Sequence, residues 1–171
     1  MIKFGTGGFR GIIGDDFTKS AVQQIAQGLC DIIKSDNLKS PVAVGYDHRF
    51  GSEYFAVWIA ETLTGNGIRT LLYSEPMPSP AVMTAVRDEN LDYGIMITAS
   101  HNPYRFNGVK LFTRGGMDAD VAVTDRLEKS INAVKDVKTS NVNQAAEKGL
   151  LTFYSNAEQY IANVKFQRKK Q

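Results

Sequence analysis

Cys30 is the only cysteine in this sequence. A lone thiol excludes an internal disulfide and fits a reducing compartment. Long apolar runs are missing too. No stretch approaches the length of a membrane span, and the N-terminus lacks the apolar core of a signal peptide, so the expected location is the cytoplasm. Charge of one sign is scarce: 20 Lys and Arg against 18 Asp and Glu leave +2. That balance argues against nucleic acid or an anionic membrane as a partner. Part of the excess lies in Arg168-Lys169-Lys170, read as a solvated tail. Neither a Walker loop nor a dinucleotide fingerprint is present, because the required glycine spacings and the preceding strand are missing.

What is present is the patterning of one α/β domain. At 171 residues and 43% hydrophobic side chains, the chain is long enough to bury a sizeable core. Val42-Ala43-Val44-Gly45-Tyr46, Arg69-Thr70-Leu71-Leu72-Tyr73 and Tyr93-Gly94-Ile95-Met96-Ile97 read as strands. Helices fall before and between them. Thr18 is placed to cap the first, where Val22, Ile25, Ala26, Leu29 and Ile33 recur at helical spacing. Ser52 is placed to cap the second, with Phe55, Trp58, Ile59, Thr62 and Leu63 on its inner face and Gly65-Asn66-Gly67 as its stop. Ser79-Pro80 fits the cap and first position of the third. The alternation predicts parallel strands, right-handed crossovers and helices on both faces. Val109–Phe112 follows too closely for a crossover, so it is expected to run antiparallel to the strand ending at Ile97.

A fourth helix is predicted over Val121–Ala133. The stretch from Lys135 to Gly149 is polar and weakly patterned, and Ser155 with Glu158 forms a capping box before a last helix. The expected fold is a three-layer α/β/α sandwich on a mixed, mainly parallel sheet of about four strands.

Chemistry concentrates after the strand that ends at Ile97. Thr98-Ala99-Ser100-His101-Asn102-Pro103 stops it abruptly, and Pro103 cannot join a ladder. Open α/β sheets bind ligands just beyond the carboxyl ends of their strands. That rule puts the hydroxyl of Ser100, the imidazole of His101 and the amide of Asn102 at the ligand edge. Lys110 follows in the next strand, so a hydroxyl, an imidazole and an ammonium fall within eleven residues. Together they make a candidate nucleophile with proton handlers. The same residue types are also ordinary turn chemistry, and a lone strand lysine is ordinarily solvated. A serine hydrolase built on Ser100 and His101 is disfavoured, because no nucleophile elbow is present and adjacent residues on an extended chain point apart.

Near the N-terminus, Gly5-Thr6-Gly7-Gly8-Phe9-Arg10-Gly11 places four glycines in seven residues. Its amides can approach an anion closely, and Arg10 adds a fork suited to phosphate or carboxylate. A flexible glycine-rich lead-in is the plainer reading. Asp47-His48-Arg49 is a further charged cluster at a strand's carboxyl end.

Three stretches, in this order, resemble the α-D-phosphohexomutase family, which includes phosphoglucomutases and phosphomannomutases. They are Gly5 to Gly11, then Gly45-Tyr46-Asp47-His48-Arg49, then Thr98 to Pro103 with Asn107-Gly108-Val109-Lys110. The last is the most specific. The resemblance implies an isomerase of the intramolecular phosphotransferase type. It would interconvert hexose 1-phosphate and hexose 6-phosphate through a hexose 1,6-bisphosphate, which also serves as activator. Ser100 is implied to be the phosphoserine, Lys110 the general acid/base, and His101 and Asn102 its loop-shaping and orienting partners. Arg10 is implied to reach the same site, and Arg10, Asn102 and Lys110 to bind substrate. Asp47 and Arg49 would brace these loops. A phosphate oxygen on Ser100 would give Mg2+ one ligand, the others coming from a second domain.

Family members have four domains, and the later ones carry an aspartate-rich metal loop, a sugar-recognition loop and a phosphate-binding loop. None of those motifs occurs here. Asp118-Ala119-Asp120, the nearest acidic cluster, reads as a helix cap. Residues 1–154 are therefore expected to be a first domain and 155–171 a helix leading towards a second. The expected partners are a hexose phosphate and the remaining domains, and this chain alone is expected to be inactive. The alternative from another class is a non-catalytic sugar-phosphate-binding or docking module.

Overall fold

The computed structural model describes residues 1–168; of the expected tail, Lys169 and Lys170 lie outside the described residues. In chain order the elements are β1 (Phe9–Ile12), α1 (Lys19–Ser35), β2 (Val42–Tyr46), α2 (Ser52–Gly65), β3 (Thr70–Tyr73), α3 (Ser79–Asp88) and β4 (Tyr93–Ile97). They continue as β5 (Phe106–Thr113), β6 (Met117–Asp118), α4 (Val121–Ala133), α5 (Val142–Glu147), β7 (Leu151–Tyr154) and α6 (Ala157–Arg168). The sheet order is β1-β5-β4-β2-β3-β7, with β6 hydrogen-bonded to β5. As expected, β2, β3 and β4 are parallel and β5 runs antiparallel to β4.

The sheet has seven strands rather than about four. The three that sequence patterning did not show are held by pairing, not by propensity. β1 (Phe9-Arg10-Gly11-Ile12) lies in what reads as a glycine-rich loop and is extended because it pairs with β5. β6 is two residues long, and β7 is a short edge strand parallel to β3. Glycine-containing and two-residue segments carry little strand signal of their own.

Helix ends follow local chemistry, with small shifts from expectation. Thr18 Oγ1 accepts from the Ala21 N–H at 3.2 Å and caps α1. Gly51, in the left-handed region at φ 75°, stands at the N-cap of α2 in place of Ser52. Pro78 precedes α3, so Ser79 is its first residue and not its cap. Asp120 caps α4 by accepting from the Val123 N–H at 2.9 Å. Ser155 Oγ accepts from the Ala157 N–H at 3.2 Å, but Glu158 does not return a bond to complete a capping box. The stretch from Lys135 to Gly149, weakly patterned in sequence, contains α5.

Two glycines set the layer spacing. A Cβ on Gly45 of β2 would run into Val82, and one on Gly94 of β4 into Val86. Their bare backbones let α3 lie close on this face. On the other face α1, α2, α4 and α5 pack against one another. Cys30 is buried there, and burial pushes its thiol up to about 12, so it is a core group and not a reactive one. Trp58 sits at the rim of this core, edge-on to Phe55 with centroids 5.2 Å apart. On α6, Tyr160 is half-buried, and Ile161 and Val164 are exposed. Among the described residues no helix is long and apolar enough to cross a membrane.

The strand order positions the site. From β2 the chain moves to β3 on one side, then returns across β2 to place β4 on the other. The loops leaving β2 and β4 therefore diverge at a topological switch point, where open α/β sheets form a ligand crevice.

Candidate active site

The serine loop leaves the sheet while still tied to it. The Thr98 N–H donates to Gly108 O at 3.0 Å, and the Asn102 N–H closes a turn on Ala99 O at 3.0 Å. Between them Ser100 adopts φ 55°, left-handed for a residue that is not glycine. Such a conformation costs on the order of 1–3 kcal/mol and persists only where the surroundings impose it. Here the Ser100 N–H is held by Thr98 Oγ1 at 3.0 Å. The side chain of Ser100 is presented to solvent, with Oγ 3.4 Å from His101 Nδ1. On an extended chain these neighbours would diverge; the left-handed turn brings them within a long hydrogen bond.

A single guanidinium organises the loop. Arg49 Nη1 donates to Pro103 O and Phe106 O, both at 3.1 Å, and Nη2 donates to Ser100 O and Asn102 O, both at 2.7 Å. Four carbonyls of the β4–β5 connection thus converge on one residue from the β2 loop. Asp47 orients that residue, accepting from the Arg49 N–H at 3.0 Å and facing its Nε at 3.7 Å. The bracing expected of Asp47 and Arg49 has this form. Replacing Arg49 by Ala would take the guanidinium from four carbonyls, of which Pro103 O keeps the Phe106 N–H at 2.9 Å, and would leave the strained turn to the Thr98 hydroxyl and the Asn102–Ala99 bond. We expect a loss of roughly 2–4 kcal/mol in urea unfolding, discounted for water reaching the outer carbonyls. Lys, a point charge without a planar fork, should recover only part of it.

Two further residues complete this bracing network, Asn107, which the sequence shows only as part of a motif, and Ser52, which it shows only as a helix cap. Asn107 is fully buried, donates to Ser52 Oγ at 2.9 Å and accepts from the Gly108 N–H at 2.8 Å. Ser52 passes the link on, donating to Asp47 Oδ1 at 2.9 Å. The signal was an amide side chain inside the strand Phe106–Thr113, since a buried amide needs partners.

Arg10 reaches the same loop from β1. Its Nη1 donates to Asn102 Oδ1 at 3.1 Å. Close approach of β1 depends on Gly108, where a Cβ would lie 2.6 Å from Phe9 O and 2.7 Å from Thr98 O. Register puts Arg10 opposite Gly108 and Lys110 two residues on, so Arg10 and Lys110 leave the same face of the sheet.

Among the described residues no hydrogen bond joins Lys110 to Ser100. Its Nζ bonds Asp118 Oδ1 at 3.1 Å and lies 5.7 Å from the centre of the Phe112 ring. Asp118 and Phe112 are opposite each other, and Phe112 pairs with Gly94, towards the start of β4 and away from the serine loop. The lysine therefore leans away from the hydroxyl it is expected to serve. Asp118 is not part of a helix cap; only Asp120 of that cluster is. The readable signal was the hairpin Arg114-Gly115-Gly116-Met117, whose left-handed glycines fold β6 back onto β5.

The described residues do not form a Mg2+ site of their own. No group of three or more His, Cys, Asp or Glu side chains among them could hold a metal ion. Asp118 is engaged by Lys110 and Asp120 by the α4 N-terminus. The unmodified hydroxyl of Ser100 is one neutral oxygen, whereas Mg2+ takes six, usually with charged ligands among them.

Residues 1–138 match the family described as phosphoglucomutase/phosphomannomutase, alpha/beta/alpha domain I. This chain belongs to that family. Among its relatives, the phosphoglucomutase of Staphylococcus saprophyticus is 30% identical over 96% of this chain and 31% of its own length. The phosphoglucosamine mutase of Chlamydia trachomatis is 36% identical over 78% of this chain and 29% of its own. A crystal structure of a phosphoglucomutase/phosphomannomutase family protein from Burkholderia thailandensis superposes with a TM-score of 0.74, covering 94% of this chain and 35% of that one at 21% identity. At that identity the superposition speaks for the fold alone. The chain spans about a third of the length of these relatives.

Proposed function

We propose that this chain is the catalytic-serine domain of a phosphohexomutase that interconverts the 1-phosphate and 6-phosphate of a hexose or hexosamine. The observation that supports this best is the presentation of Ser100. Its hydroxyl is exposed at the switch point of the sheet, on a strained turn that Arg49 holds by four carbonyls. A rigid, outward-facing hydroxyl is what in-line phosphoryl transfer requires, because most of that catalysis is positioning and charge stabilisation.

In the proposed cycle Ser100 carries a phosphoryl group. A sugar hydroxyl attacks its phosphorus, the bond from phosphorus to the serine oxygen breaks, and the sugar becomes a 1,6-bisphosphate. The intermediate turns over in the site, and its other phosphoryl group returns to Ser100. The attacking hydroxyl sheds a proton in each half, and Lys110 is the proposed acceptor and donor. Arg10 and Asn102 are already hydrogen-bonded beside the serine and would bind the phosphate and orient the substrate, with His101 shaping the loop. Mg2+ would take one ligand here, a phosphate oxygen on the modified serine, and its others from a further domain. Residues 1–154 are the proposed first domain, with α6 leading towards the next, where exposed Ile161 and Val164 would be covered.

The test is covalent. After incubation of the complete protein with a hexose 1,6-bisphosphate and Mg2+, intact mass should increase by one phosphoryl group, and peptide mapping should place it on Ser100. Bisphosphate binding that leaves Ser100 unmodified would support a non-catalytic sugar-phosphate module instead.

A further inference from the structure

We infer that Asp118, with the Phe112 ring, is a resting seat for the ammonium of Lys110, a positioning contact that holds the lysine back from the serine loop until phosphate competes for it. The inference rests on the reading of Lys110 as the residue that handles the proton at Ser100. Its geometric basis is independent of that reading. Lys110 Nζ bonds Asp118 Oδ1 at 3.1 Å and sits 5.7 Å from the Phe112 ring centre. Phe112 lies beyond Lys110 on β5 and Asp118 opposite it on β6, both on the side away from Ser100. Lys110, Phe112 and Asp118 share one face of the sheet, since Phe112 is two residues from Lys110 and directly opposite Asp118. No hydrogen bond joins Lys110 to Ser100, His101 or Asn102 among the described residues.

The seat is weak enough to open. The Lys110 side chain is 22% exposed and that of Asp118 54% exposed, so water screens the pair. A phosphoryl group near Ser100 carries up to two negative charges and three strong acceptors. It outcompetes one exposed carboxylate, and a lysine, with four rotatable stem bonds, can swing between them without moving the strand. Arg10, on the same face, stays on Asn102 in the meantime and keeps positive charge at the loop.

Steady-state kinetics of the complete enzyme test this. Asp118→Asn removes the competing charge while keeping the shape of an exposed residue. It should raise kcat/KM by up to about fivefold, the range an exposed ion pair can supply. Asp118→Glu should restore the wild-type value, and Asp118→Asn should change nothing in a Lys110→Met background. A slower or unchanged Asp118→Asn enzyme, with Lys110→Met strongly impaired, would overturn the seat alone. Near-normal turnover in Lys110→Met would instead sink the acid/base reading. The seat is then tested by the NMR signal of the Lys110 ammonium in this chain. Asp118→Asn should shift it, and an unmoved signal would overturn the contact.

Discussion

Ser100→Ala in the complete enzyme is expected to abolish mutase turnover while leaving the fold intact. The hydroxyl has no structural duty: its one hydrogen-bond partner among the described residues is His101 Nδ1, at a long 3.4 Å. What holds the loop is backbone, through Arg49, and the Thr98 hydroxyl, and both survive the change. Stability should therefore stay within about 0.5 kcal/mol of wild type in urea unfolding. Chemistry has no substitute. The neighbouring hydroxyl, Thr98 Oγ1, is nearly buried and is occupied by the Ser100 N–H. The phosphoryl group would have no oxygen to occupy between half-reactions, and intact mass should show no bisphosphate-dependent addition. Measurable turnover in Ser100→Ala, or addition at another residue, would remove Ser100 from the mechanism.

Lys110→Met should slow the complete enzyme by roughly a hundred- to ten-thousandfold, the usual contribution of general acid–base catalysis. Loss of a positive charge beside a transferring phosphate adds to that. The structural effect should be slight, because what is lost is a partly exposed ion pair with Asp118, worth at most about 1 kcal/mol. A strand lysine with no chemical role makes the opposite forecast, a rate close to wild type. The two readings therefore differ by orders of magnitude in one kinetic measurement. More than about a tenth of wild-type turnover would exclude Lys110 as the proton handler, since even the low end of the expected loss is larger.

How far the site was legible follows from how local its causes are. The strand before Ser100, its abrupt end at Pro103 and the return strand through Lys110 are short-range patterns, and the antiparallel pairing of β4 and β5 follows from a connection too short for a crossover. The helical spacing of Val22, Ile25, Ala26, Leu29 and Ile33 made α1 equally plain, and Thr18 caps it as its side chain allows. The family resemblance rested on motifs within such segments, and the match over residues 1–138 agrees with it. β1 and β7 were invisible for the converse reason. A glycine-bearing strand and a short edge strand have no periodicity to detect, and they exist because β5 and β3 offer free ladder groups.

By itself, then, the sequence determined the α/β alternation, the placement of Ser100, His101 and Asn102 at the carboxyl end of a strand, and the absence of disulfides. Each depends on contacts a few residues apart or on composition. Only the tertiary structure decided that Arg49 grips four carbonyls more than fifty positions along the chain, that Arg10 meets Asn102, and that Lys110 rests on Asp118. Two of these depend on strand order, and the third on a two-glycine hairpin. Strand order is settled by which edges pair and which faces can be buried together. A side chain's partner across a switch point is a property of the assembled sheet and of no single segment.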